Sequence, residues 1–263
     1  MYSPFQLALK YLRYYITASN GKGHGIHSPF VFNIVTKVLN DKTVYEDYRI
    51  IEEERTRLLN NTSVIEVEDF GAGSVKGFSK KRSIQQIASS SLKPIKYAQL
   101  LYRLVRYFDS KQVLELGTSL GVSTSYLAKA NNEAQVTTIE GSKAIAEAAK
   151  IVFKELDLQN IHCIVGNFDD TLPSVSNKTF DFVFIDGNHR KEPTLRYFHQ
   201  LLLSVQPSTV MVFDDIHWSR DMEEAWDQIK QHPSVTLTVD LFFIGLVFFR
   251  KEQKEKEHFV IRF

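Results

Sequence analysis

The sequence predicts an α/β protein built on a doubly wound, mostly parallel sheet. Two observations carry that expectation. From residue 93 onward, short continuous apolar runs alternate with helical segments, the pattern of parallel strands covered by helices on both faces. The chain has 263 residues, 43% of them hydrophobic and 24% charged. That is enough apolar material for one large core with an appendage, and too much for disorder as the main state.

Taken in order, Ser3-Pro4 reads as a helix N-cap followed by proline at the first helical position, and Phe5, Ala8, Leu9, Leu12 and Tyr15 continue at helical spacing. The turn Gly21-Lys22-Gly23-His24-Gly25 comes next. Ser28-Pro29 opens a second helix carrying Phe32, Val35 and Leu39, and 45–59 forms a third, charge-rich one. Residues 61–92 mix a strand-like run from Val64 to Val67, a Gly/Ser loop, and Lys80-Lys81-Arg82, which is expected as a solvated face. Past Pro94, Tyr97, Leu100, Leu101, Leu104, Val105 and Phe108 make one apolar helical stripe. Strands are expected at 112–116, 135–139, 161–165, 180–185 and 209–213, with helices near 122–130, 142–157, 192–204 and 219–231. Two last strands, 235–241 and 246–249, have no helix between them and read as an antiparallel hairpin closing the sheet edge. The expected domains are an N-terminal helical, lid-like region, 1–92, and a sheet domain, 93–263.

Composition narrows the function. Lys+Arg is 32 against Asp+Glu 31, a formal charge of +1, so no global basic excess recruits nucleic acid. Cys163 is the single cysteine, which excludes a disulfide framework and a multi-cysteine zinc site and favours a reducing compartment. The longest apolar run, Leu241 to Phe249, has nine residues, whereas a membrane span needs about 20. The first residues lead to Lys10 and Arg13 rather than to a secretory apolar segment. A soluble cytoplasmic protein without a membrane partner is expected, and a homodimer is compatible with the sequence.

Ligands of open α/β sheets bind at the carboxyl ends of the strands, so the residues after each strand are the candidates. After the first stands Glu115-Leu116-Gly117-Thr118-Ser119-Leu120-Gly121, with Ser123 and Thr124 opening the next helix. This Gly-x-x-x-Gly loop is not a pyrophosphate fingerprint; its acid would suit a ligand carrying an ammonium group, and an ordinary strand–helix turn is the alternative. Glu140 ends the second strand, where an acid binds ribose hydroxyls or is simply solvated. After the third, Asn167 could reach an adenine edge and Phe168 its face, unless they form a plain surface loop. Asp186-Gly187-Asn188-His189 follows the fourth and Asp214-Asp215-Ile216-His217-Trp218 the fifth. Three carboxylates at neighbouring strand ends are costly without a cation, and oxygen ligands favour Mg²⁺, Ca²⁺ or Mn²⁺. The alternative is that Asp214 or Asp215 caps the following helix.

From Lys93 to about Arg250 the chain resembles class I S-adenosylmethionine-dependent methyltransferases, with their Rossmann-like sheet, and most of all the metal-dependent O-methyltransferases of the catechol and caffeoyl-CoA type. The run Val113-Leu114-Glu115-Leu116-Gly117-Thr118-Ser119-Leu120-Gly121-Val122-Ser123-Thr124 and the helix before it carry the resemblance. It implies that Glu115, Gly117, Ser119, Gly121 and Ser123 surround the methionine moiety, Glu140 holds the ribose, and Asn167 and Phe168 flank the adenine. Asp186 would touch the cofactor and, with Asp214 and Asp215, hold a divalent ion such as Mg²⁺. Two departures stand out: Asp215 replaces an asparagine, and His189 replaces a basic lysine. Histidine still serves as a general base. The Ile185 to His189 stretch equally resembles sugar O-methyltransferases.

The implied reaction is methyl transfer to a hydroxyl of a small-molecule acceptor, with His189 and Asp186 as the catalytic pair. A non-catalytic S-adenosylmethionine-binding protein and an NAD-dependent oxidoreductase are the alternatives; loop spacing and the terminal hairpin speak against the latter. The run Gly23-His24-Gly25-Ile26-His27-Ser28-Pro29-Phe30 is similar to uncharacterised bacterial methyltransferase-like proteins. His24 and His27 would be lid or loop residues. Asp69-Phe70-Gly71-Ala72-Gly73-Ser74 mimics a nucleotide loop without a β–α frame. Trp226 is expected in the core, Trp218 beside an acceptor pocket or merely packed there, and Cys163 buried and inert.

Overall fold

The computed structural model describes residues 1–68 and 79–263, so the loop-like run Asp69 to Ser74 lies outside the described residues. Helix α1 spans Pro4–Thr17, and α2, Pro29–Ile34, continues into a wider π-type turn, Val35–Leu39. Then come α3 Glu46–Leu59, β1 Val64–Glu68, β2 Ser79–Ser83, α4 Ile84–Ser91 and α5 Ile95–Tyr107. The alternating part runs β3 Gln112–Leu116, α6 Val122–Lys129, β4 Gln135–Glu140, α7 Lys143–Glu155, β5 Ile161–Val165, α8 Phe168–Val175, β6 Phe182–Ile185, α9 Lys191–Leu201 and β7 Val210–Asp214. Last are α10 Arg220–Gln231, β8 Leu237–Asp240, β9 Ile244–Phe248 and β10 Glu257–Val260. The α/β class with mostly parallel strands is as expected.

Local chemistry sets the helix starts. Ser3 and Ser83 each form a reciprocal capping box, with Gln6 and Gln86, an arrangement worth on the order of 1 kcal/mol per cap. Ser219 caps α10 through Met222 N–H, so neither Asp214 nor Asp215 is needed for that task.

The chain divides into two compact units, Lys42–Val175 and the pair Met1–Asp41 with Ser176–Phe263. The first 92 residues are therefore shared between the units. In the first unit, β3 and β5 flank β4, all parallel. Val113, Leu114, Leu116, Val136 and Ile139 are buried there, the burial expected of strands covered on both faces. β1 and β2 pair antiparallel, which sets Glu66 opposite Lys81; Lys80 and Lys81 are exposed, as expected of that segment.

In the second unit β6 and β7 are parallel, β9 runs antiparallel to both β7 and β8, and β10 is parallel to β8. The terminal hairpin exists, but β10 covers its outer strand, so the expectation that the hairpin closes the edge is corrected. The charged run Lys251 to Lys256 and only four strand residues hide β10 from a periodicity argument. Trp226 is buried as expected; a Cβ on Gly245 would lie 2.6 Å from its ring, so the strand passes directly over the indole. Among the described residues no helix is long and apolar enough to cross a membrane.

Candidate active site

The first unit presents the loop after β3. Gly117, Ser119 and Gly121 adopt positive φ values of 107°, 49° and 79°. Gly117 N–H and Thr118 N–H both donate to Ile139 O, at 3.0 and 3.3 Å, which ties the loop to the end of β4. Gly121 is the position that tolerates no side chain: a Cβ would sit 2.5 Å from Phe153 Cε1. Ser123 lies in the first turn of α6, almost buried.

Glu140 is the centre of this arrangement. Its two carboxylate oxygens accept Ser119 N–H and Ser142 N–H, each at 2.9 Å, while Gly166 N–H donates to its carbonyl. Burial raises the pKa of this carboxyl, against three backbone N–H donors that lower it. An ionised carboxylate has about four acceptor positions, so capacity remains for further hydroxyl donors.

Glu115 behaves differently from the expectation. It has no exposed surface, and its Oε2 accepts the hydroxyls of Thr124 and, at 2.7 Å, Thr138. In this conformation it braces the loop from beneath rather than facing a ligand. Asn167 is likewise engaged: its Oδ1 accepts Asp169 N–H at 3.1 Å and its carbonyl accepts Asp170 and Thr171 N–H, as at a helix start. The plain surface loop is thereby replaced by α8, which Phe168 opens. A contact the sequence does not signal is the 2.8 Å hydroxyl pair of Ser91, from α4, and Ser119. Cys163 is half-buried rather than fully buried; desolvation pushes its thiol up to about 11, which leaves it unreactive at neutral pH.

The second unit holds the acids. The parallel register Ile185↔Phe213 brings the ends of β6 and β7 side by side. Asp186, His189 and Asp214 offer ligand atoms all within 4.8 Å of one another. Two carboxylates and an imidazole fit a divalent transition-metal ion, and the carboxylates alone, with water or Asp215 in place of the imidazole, fit Mg²⁺ or Mn²⁺. Asp215 is not in that group: its backbone turns to a φ of 54°, and His189 stands in its place beside the other two. Asn188 and His189 are also left-handed, at 68° and 38°, a strain characteristic of functional turns. Asn188 Nδ2 donates to Tyr197 Oη at 2.9 Å, which fixes the turn.

His189 Nε2 lies 3.5 Å from Asp186 Oδ1. Burial lowers its pKa, but the hydrogen bond to Asp186 and the charges of Asp186, Asp214 and Asp215 outweigh this and bring it to about 9.

Beyond these residues, a polar network escapes sequence reasoning. His217 lies between Glu223 Oε1, 3.0 Å from Nδ1, and Asp240 Oδ2, 2.8 Å from Nε2. Glu223 also accepts Tyr2 Oη at 2.6 Å and Lys10 Nζ at 3.0 Å. Tyr2 N–H donates to Trp218 O at 3.2 Å. The start of α1 is thus tied to the segment that follows Asp214 and Asp215. His24 and His27 are exposed.

Residues 114–216 match the family described as a methyltransferase domain. Catechol O-methyltransferase of Mycobacterium tuberculosis is 31% identical over 120 residues, covering 45% of this chain and 54% of that protein. Catechol O-methyltransferase of Niastella koreensis is 32% identical over 126 residues, covering 46% and 55%. The chain spans about half the length of the curated relatives it matches. The O-methyltransferase of Bacillus cereus in complex with SAH superposes with a TM-score of 0.56 at 21% identity, over 83% of this chain and 97% of that one. TomG of Streptomyces achromogenes, solved in complex with SAM, gives 0.56 at 19% identity, over 79% and 91%. The α/β fold is therefore that of class I methyltransferases. The stretch from β3 to β7 is similar to a methyltransferase domain and to the catechol O-methyltransferases over that part of the chain.

Proposed function

We propose that this protein transfers a methyl group from S-adenosylmethionine to a hydroxyl of a small molecule. The observation that carries the proposal is the Glu140 carboxylate, oriented by two backbone N–H groups beside a loop with positive φ at Gly117, Ser119 and Gly121. The methyltransferase match over 114–216 supports it. Glu140 binds the ribose hydroxyls, Gly117, Ser119, Gly121 and Ser123 line the methionine moiety, and Asn167 and Phe168 flank the adenine.

Asp186 and Asp214 would hold a divalent cation, with Asp215 or water completing its ligands and His189 left free to take a proton. When bound, such a cation supplies Lewis acidity that lowers the pKa of an acceptor hydroxyl. His189 is the acceptor of the hydroxyl proton. With a pKa of about 9 it carries its own proton at neutral pH; a cation on Asp186 and Asp214 would offset the charges that raise this pKa and would let His189 act as a base. In the transfer, the S–C bond breaks and its electron pair stays on sulfur. The C–O bond forms, and the hydroxyl proton goes to His189. Alignment of oxygen, methyl carbon and sulfur provides most of the acceleration.

The test is turnover of S-adenosylmethionine with catechol and sugar acceptors, with and without Mg²⁺. Asp186→Ala is expected to abolish product while S-adenosylmethionine still binds. Full turnover by that variant contradicts the cation assignment; cofactor binding with no product from any acceptor contradicts the activity.

A further inference from the structure

We infer that the outward face of α1 docks on an anionic lipid bilayer surface. Phe5, Leu9, Leu12 and Ile16 recur at the spacing of one helix face, with Ala8 and Tyr15 beside them. Their exposures are 73%, 51%, 54% and 66% for the first four and 51% for Tyr15. Exposed apolar side chains scattered singly are ordinary, but a contiguous stripe of them marks an interaction site.

The opposite face of α1 is already occupied. Leu7, Tyr11 and Tyr14 pack with Ala18, Phe242 and Phe243. Lys10 and Tyr2 are tied to Glu223, and Tyr14 Oη donates to Ile261 O. The helix is therefore anchored on one side and apolar on the other.

Charge decides the occupant. α1 contains no Asp or Glu. Arg13 lies on one flank of the stripe, and the Arg262 guanidinium sits 5.1 Å from the Tyr15 ring on the other. An apolar stripe edged by cations suits a helix lying in the headgroup layer, its side chains in the acyl boundary and its cations among anionic headgroups. A second copy of the same helix would bring these cations together with no acid on α1 to answer them. The absence of a spanning segment, from which no membrane partner was expected, does not bear on a helix that lies flat: α1 has 14 residues, about 21 Å.

Flotation with vesicles tests this. The full chain is mixed with phosphatidylcholine vesicles and with vesicles containing phosphatidylglycerol, and its oligomeric state is measured by light scattering. Binding to the anionic vesicles, weakened by salt, is expected. Leu9→Glu/Leu12→Glu is expected to remove binding, and Arg13→Glu to weaken it on the order of tenfold. These side chains are exposed, so both variants are expected to keep the wild-type melting temperature. No binding to anionic vesicles overturns the inference. So does a dimer that Leu12→Glu splits while vesicles leave it unbound, which assigns the stripe to a second copy. Equal binding to both vesicle types overturns the role of charge and with it the choice of an anionic surface.

Discussion

Asp186→Asn should lower the pKa of His189. In the fold that imidazole has a pKa of about 9 against an ordinary 6.5. The sign is that of a raised pKa. The stabilisation is fully present below 6.5 and is lost as pH rises through 9. A shift of this size corresponds to about 3 kcal/mol at 1.36 kcal/mol per pKa unit. That is an upper bound, because 28% of the His189 side chain meets water and solvent screens the pair. Asp186 supplies both the hydrogen bond and the strongest of the neighbouring negative charges, with Asp214 and Asp215 behind it. Asparagine keeps the shape and removes the charge, so the His189 pKa is expected to fall by about one unit or more. Histidine-selective NMR across pH 5 to 10 reads this directly, with thermal melts at pH 6 and 9.5 alongside. The variant should lose much of the wild type's stability difference between the two pH values. A wild-type His189 that titrates near 6.5, or an unchanged pKa in Asp186→Asn, refutes the reasoning.

Other perturbations have equally definite outcomes. Gly121→Ala combines a φ of 79° with a Cβ 2.5 Å from Phe153 and should cost about 1–3 kcal/mol in a denaturant melt; an unchanged midpoint means the loop can relax. Glu223→Ala removes the common partner of Tyr2, Lys10 and His217 and should destabilise by about 1–3 kcal/mol. Limited proteolysis should then cut α1 first, and uniform resistance would show the network to be dispensable. Cys163, with its thiol pushed up to about 11, should alkylate far more slowly at pH 8 than a free cysteine; equal rates would show it to be exposed.

Much of this architecture is legible in the sequence because its signals are strong. The five strands of the parallel pattern are short runs rich in apolar residues, and β3 and β5 match their expected bounds residue for residue. Elements whose residues carry mixed signals escape. α8 opens on Phe168-Asp169-Asp170 and contains Pro173, which breaks helical periodicity. The charged neighbours of β10 hide its four residues. At the site, Glu140 and Asp186 follow from their place after a strand. That Glu115 faces inward onto two threonine hydroxyls does not, since strand alternation says nothing of which strand-end acid a helix covers. That His189 rather than Asp215 stands beside Asp186 and Asp214 goes with positive φ at Asn188, His189 and Asp215, none of them glycine, which propensity does not foresee. The His217 network joins residues more than 200 positions apart, beyond the reach of any local pattern.

The central claim is that the strand-end acid Glu140 and the glycine loop bind S-adenosylmethionine. Calorimetric titration of that compound into the wild type and into Glu140→Ala tests it most directly. The account predicts micromolar binding to the wild type, roughly −8 kcal/mol. It predicts affinity ten- to a hundredfold lower in the variant, the loss of hydrogen bonds to a charged group. Absence of binding to the wild type, or equal affinity in the two proteins, would contradict it.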